Sequence, residues 1–181
     1  MFNKSKTIKL PEVVNIPIPL YKSLQGKYFV GYADNLTFGK SKSAWAGLFN
    51  PSNSGVNLHV NVWTVTSIYG IFRAQIWFNT NLPGTPEKSE LVTTSNTALI
   101  PAPKPKIKLL LANNVEGEPS GGIKAFVRRG EAESTIVAEE DGKFIFPPGG
   151  SFTVFISNPE TPEEAAAGRI AFGWWEEPIF K

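Results

Sequence analysis

In Val56-Asn57-Leu58-His59-Val60-Asn61-Val62-Trp63-Thr64-Val65-Thr66, the residues Val56, Leu58, Val60 and Val62 alternate with Asn57, His59 and Asn61. An apolar side chain at every second position is the period of a strand with one face against a core. After Val62 the alternation slips to Trp63 and Val65, which predicts a bulge or a bend between sheets. Residues 71–78 resume it, with Phe72, Ala74, Ile76 and Phe78 opposite Arg73, Gln75 and Trp77. Joined across 67–70, the two segments predict an antiparallel hairpin.

Working outward, the same reading places strands at 27–32, 44–49, 91–100, 106–111, 122–128, 135–139, 143–146, 151–157 and 169–176. Turn chemistry separates them: Asn50-Pro51-Ser52-Asn53-Ser54-Gly55 is a loop, residues 79–89 another, and Asp141-Gly142 the usual filling of a hairpin turn. Pro101-Ala102-Pro103-Lys104-Pro105 is a stiff extended connector. Only 162–168, with Glu163-Glu164-Ala165-Ala166-Ala167, reads as helix. About ten strands without crossover helices predict an all-β chain. The expected architecture is an antiparallel two-sheet β-sandwich, jelly-roll-like, over 27–181, with an extended N-terminal arm or connector over 1–26.

Composition narrows the function. Among 181 residues there is no Cys, one His and one Met. Disulfides, thiol catalysis and Cys-ligated metal centres are therefore excluded. With 18 basic against 16 acidic residues the net charge is +2, and no basic cluster outgrows Lys104-x-Lys106-x-Lys108, so no nucleic-acid partner is expected. The N-terminus is basic and residues 158–181 are acidic. Met1-Phe2-Asn3-Lys4-Ser5-Lys6 is followed by no apolar core of a signal peptide, and no apolar run is long enough to span a membrane.

The arm carries the sharpest pattern. Val14, Ile16, Ile18 and Leu20 alternate with Asn15, Pro17 and Pro19. Proline lacks an N–H, so an extended 14–20 would lose donors along one flank while Ile16, Ile18 and Leu20 keep theirs. Such a strand can join a sheet on one side only. It is either an edge strand of its own domain or an arm that augments a neighbouring subunit.

The remaining constellations carry little chemistry. His59 lies on the Asn57/Asn61 face of its strand, and no Ser or Asp is nominated beside it, so no catalytic residue is assigned. Glu139-Glu140-Asp141-Gly142 lacks the alternating acids of a calcium loop, and no metal or cofactor is expected. Pro119-Ser120-Gly121-Gly122 and Pro147-Pro148-Gly149-Gly150 open no helix after a strand, as a phosphate loop must. Asn3-Lys4-Ser5 and Asn35-Leu36-Thr37 match the glycosylation sequon by chance. The five tryptophans weigh more. Adjacent Trp174 and Trp175 must face opposite sides of a strand, so one belongs to the core and the other is exposed or at an interface. Trp77 and Trp175 are the candidates for a subunit contact or for stacking on a sugar ring. Either could equally cover a second apolar layer.

The stretch from Ala44 through Asn50-Pro51-Ser52-Asn53-Ser54-Gly55 to Val62, with 139–156 and Phe172-Gly173-Trp174-Trp175-Glu176-Glu177-Pro178, resembles a group of small β-sandwich proteins. These are an uncharacterised domain family of endospore-forming bacteria, similar to jelly-roll subunits of spore-surface appendages and to phage virion proteins. The likeness covers roughly 27–178 and implies a fold more than an activity. It also implies a location on a cell or spore surface or in a virion. Appendage subunits typically carry connector cysteines, and this chain has none. The expectation is a non-enzymatic subunit that self-assembles into a fibre, coat or appendage by N-terminal strand augmentation. The alternative is a virion or receptor- and glycan-binding module in a closed oligomer. A cupin-like enzyme would need several imidazoles for its metal.

Overall fold

The computed structural model describes residues 13–179 and bears out the sandwich. One helix, α1 (Ile18–Leu24), precedes eleven strands: β1 (Tyr28–Gly39), β2 (Ser43–Phe49), β3 (Val56–Tyr69), β4 (Phe72–Phe78), β5 (Glu87–Lys88), β6 (Val92–Thr94), β7 (Lys108–Val115), β8 (Ile123–Gly130), β9 (Thr135–Phe146), β10 (Ser151–Ser157) and β11 (Ala165–Pro178). All named pairings are antiparallel. One sheet runs β6-β1-β11-β3-β9, the other β5-β7-β2-β10-β4-β8. Strands β1, β11, β3 and β9 face β2, β10, β4 and β8, each set interleaving early and late parts of the chain. That is the winding of a jelly roll. Strands β5, β6 and β7, inserted between β4 and β8, extend both sheets on the opposite side.

The core follows from period 2. Phe29, Ala33, Leu36 and Phe38 of β1, Val56, Leu58, Val60, Trp63 and Val65 of β3, and Ile170, Phe172 and Trp174 of β11 point inward from the first sheet. Phe72, Ala74 and Ile76 of β4 and Phe152, Val154 and Ile156 of β10 meet them from the second. Phe152 sits at the centre of an aromatic cluster with Trp63, Phe78, Phe144, Phe146 and Phe172. The Asn50 loop is tied in by its own side chain, which donates to the carbonyls of Val56 (2.8 Å) and Phe146 (3.0 Å).

Four local expectations change. Strands β3 and β4 are in different sheets and do not pair. The corner at Gly70 (φ +80°) turns their apolar faces toward each other across the core, which buries both, where a hairpin would lay them side by side. Asp141-Gly142 is no hairpin turn but a bulge inside β9, with φ +50° and +72°, where the pairing with β3 skips between Val60 and Val62. Residues 162–168 are not helical. Ala165, Ala166 and Ala167 start β11, opposite Gly39, Phe38 and Thr37, because a strand crossing the whole sheet gains more from that pairing than two isolated helical turns would. Of 91–100, only Val92–Thr94 is strand.

Candidate functional site

Three surfaces bear on function: the N-terminal segment, the outer face of the first sheet and the cleft beside Trp77.

The described part of the arm begins at Val13, 88% exposed, followed by Val14 at 71%. The extended conformation expected through Leu20 ends at Pro17, and Ile18, Pro19 and Leu20 form the first turn of α1. The physics of proline explains the reversal. The first N–H groups of a helix have no partner in the helix, so a proline there forfeits nothing and its φ suits the turn. The donors missing at Pro17 and Pro19 therefore do not define the free flank of a strand. Residues 1–12, including Pro11 and the Asn3 sequon, lie outside the described residues.

Helix α1 has no buried residue, and its Ile18, Leu20, Tyr21 and Leu24 are all exposed. It is moored by polar contacts. Lys22 pairs with Glu177 of β11, Lys27 approaches the same carboxylate at 3.7 Å, and the Ser95 hydroxyl donates to Ser23 Oγ at 2.8 Å. Asn96 Nδ2 donates to the Ser23 carbonyl at 3.2 Å. The apolar side chains of the helix stay about half exposed among the described residues.

Strand β11 is central in the first sheet, and its outward residues are Arg169, Ala171, Gly173 and Trp175. Trp174 is fully buried in the core, and Trp175, on the other face as its position demands, is also buried, at 4% exposure. Of the roles expected for the second tryptophan (exposure, an interface, or a second apolar layer), the buried indole fits the last. A second, smaller apolar layer covers it. His59 stacks on Trp175 with ring centroids 5.2 Å apart, Tyr28 lies beside it, and the Gly142 bulge folds over its edge. A β-carbon on Gly142 would stand 1.8 Å from Trp175 Cη2, so only glycine fits there. His59 Nδ1 lies 3.1 Å from the Gly142 carbonyl. Burial pushes its imidazole below the ordinary value, partly opposed by that carbonyl. His59 is thus a packing and hydrogen-bonding residue of this layer.

Farther along the same face, Gly173 and Ala171 form the floor of an apolar trough of about 460 Å³. Its walls are Val30 and Tyr32 of β1 and Val62 and Thr64 of β3, standing opposite Gly173 and Ala171 in the registers Val30–Gly173–Val62 and Tyr32–Ala171–Thr64. Trp175 and Tyr28 bound one end, and the ion pair of Arg169 with Asp34 (2.5 Å) bounds the other. No sequence signal announced this feature. Its makers are small residues on the outward side of a strand, legible only once β11 is known to be central.

Trp77 is half-buried on the outer face of the second sheet, and its Nε1 donates to Gln75 Oε1 at 3.1 Å. Gln75 in turn donates to Glu118 at 3.1 Å, and Lys124 Nζ lies 5.1 Å from the centre of the indole. Arg73 completes this cleft of about 330 Å³, its Nε without a hydrogen-bond partner. Trp77 therefore stays available to solvent, and Trp175 does not. The structure does not bring the two together, since they lie on opposite sheets.

The carboxyl of Glu176, also unforeseen, is buried where the Pro-rich connector meets β7. It accepts from the backbone N–H of Lys106 and of Ile107, each at 3.0 Å, and from Trp174 Nε1 at 3.4 Å. Burial pushes its pKa up against the pull of those donors. It is a structural staple. Among the described residues no group of three His, Cys, Asp or Glu is placed to hold a metal ion, and no helix is long and apolar enough to cross a membrane.

The whole chain, residues 1–181, matches a family described as "Family of unknown function (DUF6143)", and the chain belongs to it. No curated protein and no solved structure matches the chain.

Proposed function

We propose that this member of the family is a non-enzymatic structural subunit that assembles with copies of itself through its N-terminal segment, as part of a surface appendage, coat or virion. The observation that carries the reading is the unmatched apolar surface of residues 13–24. Val13, Val14, Ile18, Leu20, Tyr21 and Leu24 are all exposed on a segment tied to the sandwich by the Lys22–Glu177 pair and the Ser23 hydrogen bonds. Exposed apolar residues concentrated in one short segment mark a docking element. Because α1 satisfies its own backbone, the contact is made by apolar side chains and not by strand pairing through Leu20. Burying four such side chains contributes roughly 5 kcal/mol gross, before ordering costs. A polymer would multiply that contact along its length. Negative-stain micrographs of the purified chain test the reading: filaments or regular rings support it, and a field of separate 20-kDa-scale particles counts against it.

A second reading, recognition of a glycan, draws on the Trp77 cleft, where an indole face lies beside Gln75, Glu118 and the Arg73 guanidinium that approaches Glu118 at 3.9 Å. Binding on a glycan array that vanishes in Trp77→Ala, with unchanged melting, would support it. An array without signal would remove it.

A further inference from the structure

The trough over β11 is an apolar depression on a face that ought to be polar. Outward positions of a sandwich strand normally carry residues that water tolerates, yet its walls are Val30, Tyr32 and Val62, with Leu91 exposed at the margin. Its floor cannot fill in. A β-carbon on Gly173 would come within 2.5 Å of the Tyr28 hydroxyl and 2.8 Å of Val62 Cγ1, so the neighbours that lean over this position keep it bare. The same molecule carries an apolar segment that the described residues leave about half or more exposed, and none of residues 13–24 lines the trough of its own copy. Helix α1 is moored at the Glu177 end of β11 and joined to β1 through only Gln25, Gly26 and Lys27.

We infer that the trough receives the N-terminal segment, residues 13–24, of a second copy of this chain. This rests on the reading of the protein as a self-assembling subunit and identifies the receiving surface. Charge points the same way. The twelve residues preceding Val13 carry Lys4, Lys6 and Lys9 against the single acid Glu12. One margin of the trough carries Glu90, already paired with Lys88 at 3.0 Å, and the other carries Glu139, which stands opposite Val62 in β9. Glu139 has no ion-pair partner among the described residues. A basic leader on the entering segment would run out over the Glu139 side. The surfaces that meet are different patches of the chain, so the contact is head-to-tail. It therefore propagates into a filament or closes into a ring.

The absence of cysteine makes a direct test available. Chain bearing Tyr21→Cys is mixed with differently sized, tagged chain bearing Thr64→Cys and oxidised mildly. The expected product is a disulfide-linked heterodimer, formed at least tenfold faster than with a control chain bearing Val127→Cys on the opposite sheet. Equal rates for the two, or closure of a Tyr21→Cys/Thr64→Cys double variant within one chain, would overturn the assignment. A second arm uses Ala171→Trp, which fills the floor from the solvent side, with circular dichroism and melting to establish that the variant folds. Assembly should fall at least tenfold. If Ala171→Trp assembles normally while removal of residues 1–24 disperses the protein, the trough is the wrong receiver and the self-assembly reading survives. If removal of residues 1–24 changes nothing, both fall.

Discussion

His59 and Trp175 show what a single position can and cannot say. Adjacency forces Trp174 and Trp175 onto opposite faces, and the structure obeys that rule. Which face is wet was not legible, because it depends on Gly142, far away in sequence, folding over the indole, and on His59 stacking beneath it. The half-buried imidazole leads to a pH prediction. Its pKa in the folded chain is depressed below the ordinary value near 6.5. Its contribution to stability is therefore present above pH 6.5 and is lost as pH falls through the folded value. Burial is the main cause, with the Gly142 carbonyl and Glu177 opposing it and Lys22 reinforcing it. Melting curves between pH 7.5 and 5 should show the parent chain losing more stability than His59→Gln over that interval. Parallel curves would mean that the imidazole does not sense its burial.

At the scale of elements, alternation located the long strands well, since a half-buried strand writes its period directly into β3 and β4. It could not say how strands are joined. An amphipathic pair flanking a four-residue turn can lie side by side or face to face, and the core chose the second for β3 and β4. The arm failed in an instructive way. Alternating prolines suit a one-sided strand and the first turn of a helix equally, because both tolerate missing donors. Local pattern alone does not separate them. The candidate site was legible in part: the apolar content of the arm and Trp77 could be read from the chain, whereas the trough and the Glu176 staple require the sheet order. Helix α1 yields its own prediction. Since no residue of it is buried, Ile18→Ser with Leu24→Ser should change stability by less than about 0.5 kcal/mol. The same double variant should disperse assemblies, which light scattering would read. A large drop in melting temperature would place α1 in the fold and not at a contact.

For the whole molecule, the jelly roll closes its core without residues 13–24: among the described residues the core cluster draws every member from Phe29 onward. Residues 13–24 thus add nothing to that core, and in the proposed assembly they serve a neighbour. Sedimentation velocity of the full chain beside a chain starting at Gln25, at matched concentrations, addresses this most directly. The full chain should sediment as large species and the shortened one as a folded monomer. Identical profiles for the two would contradict the account.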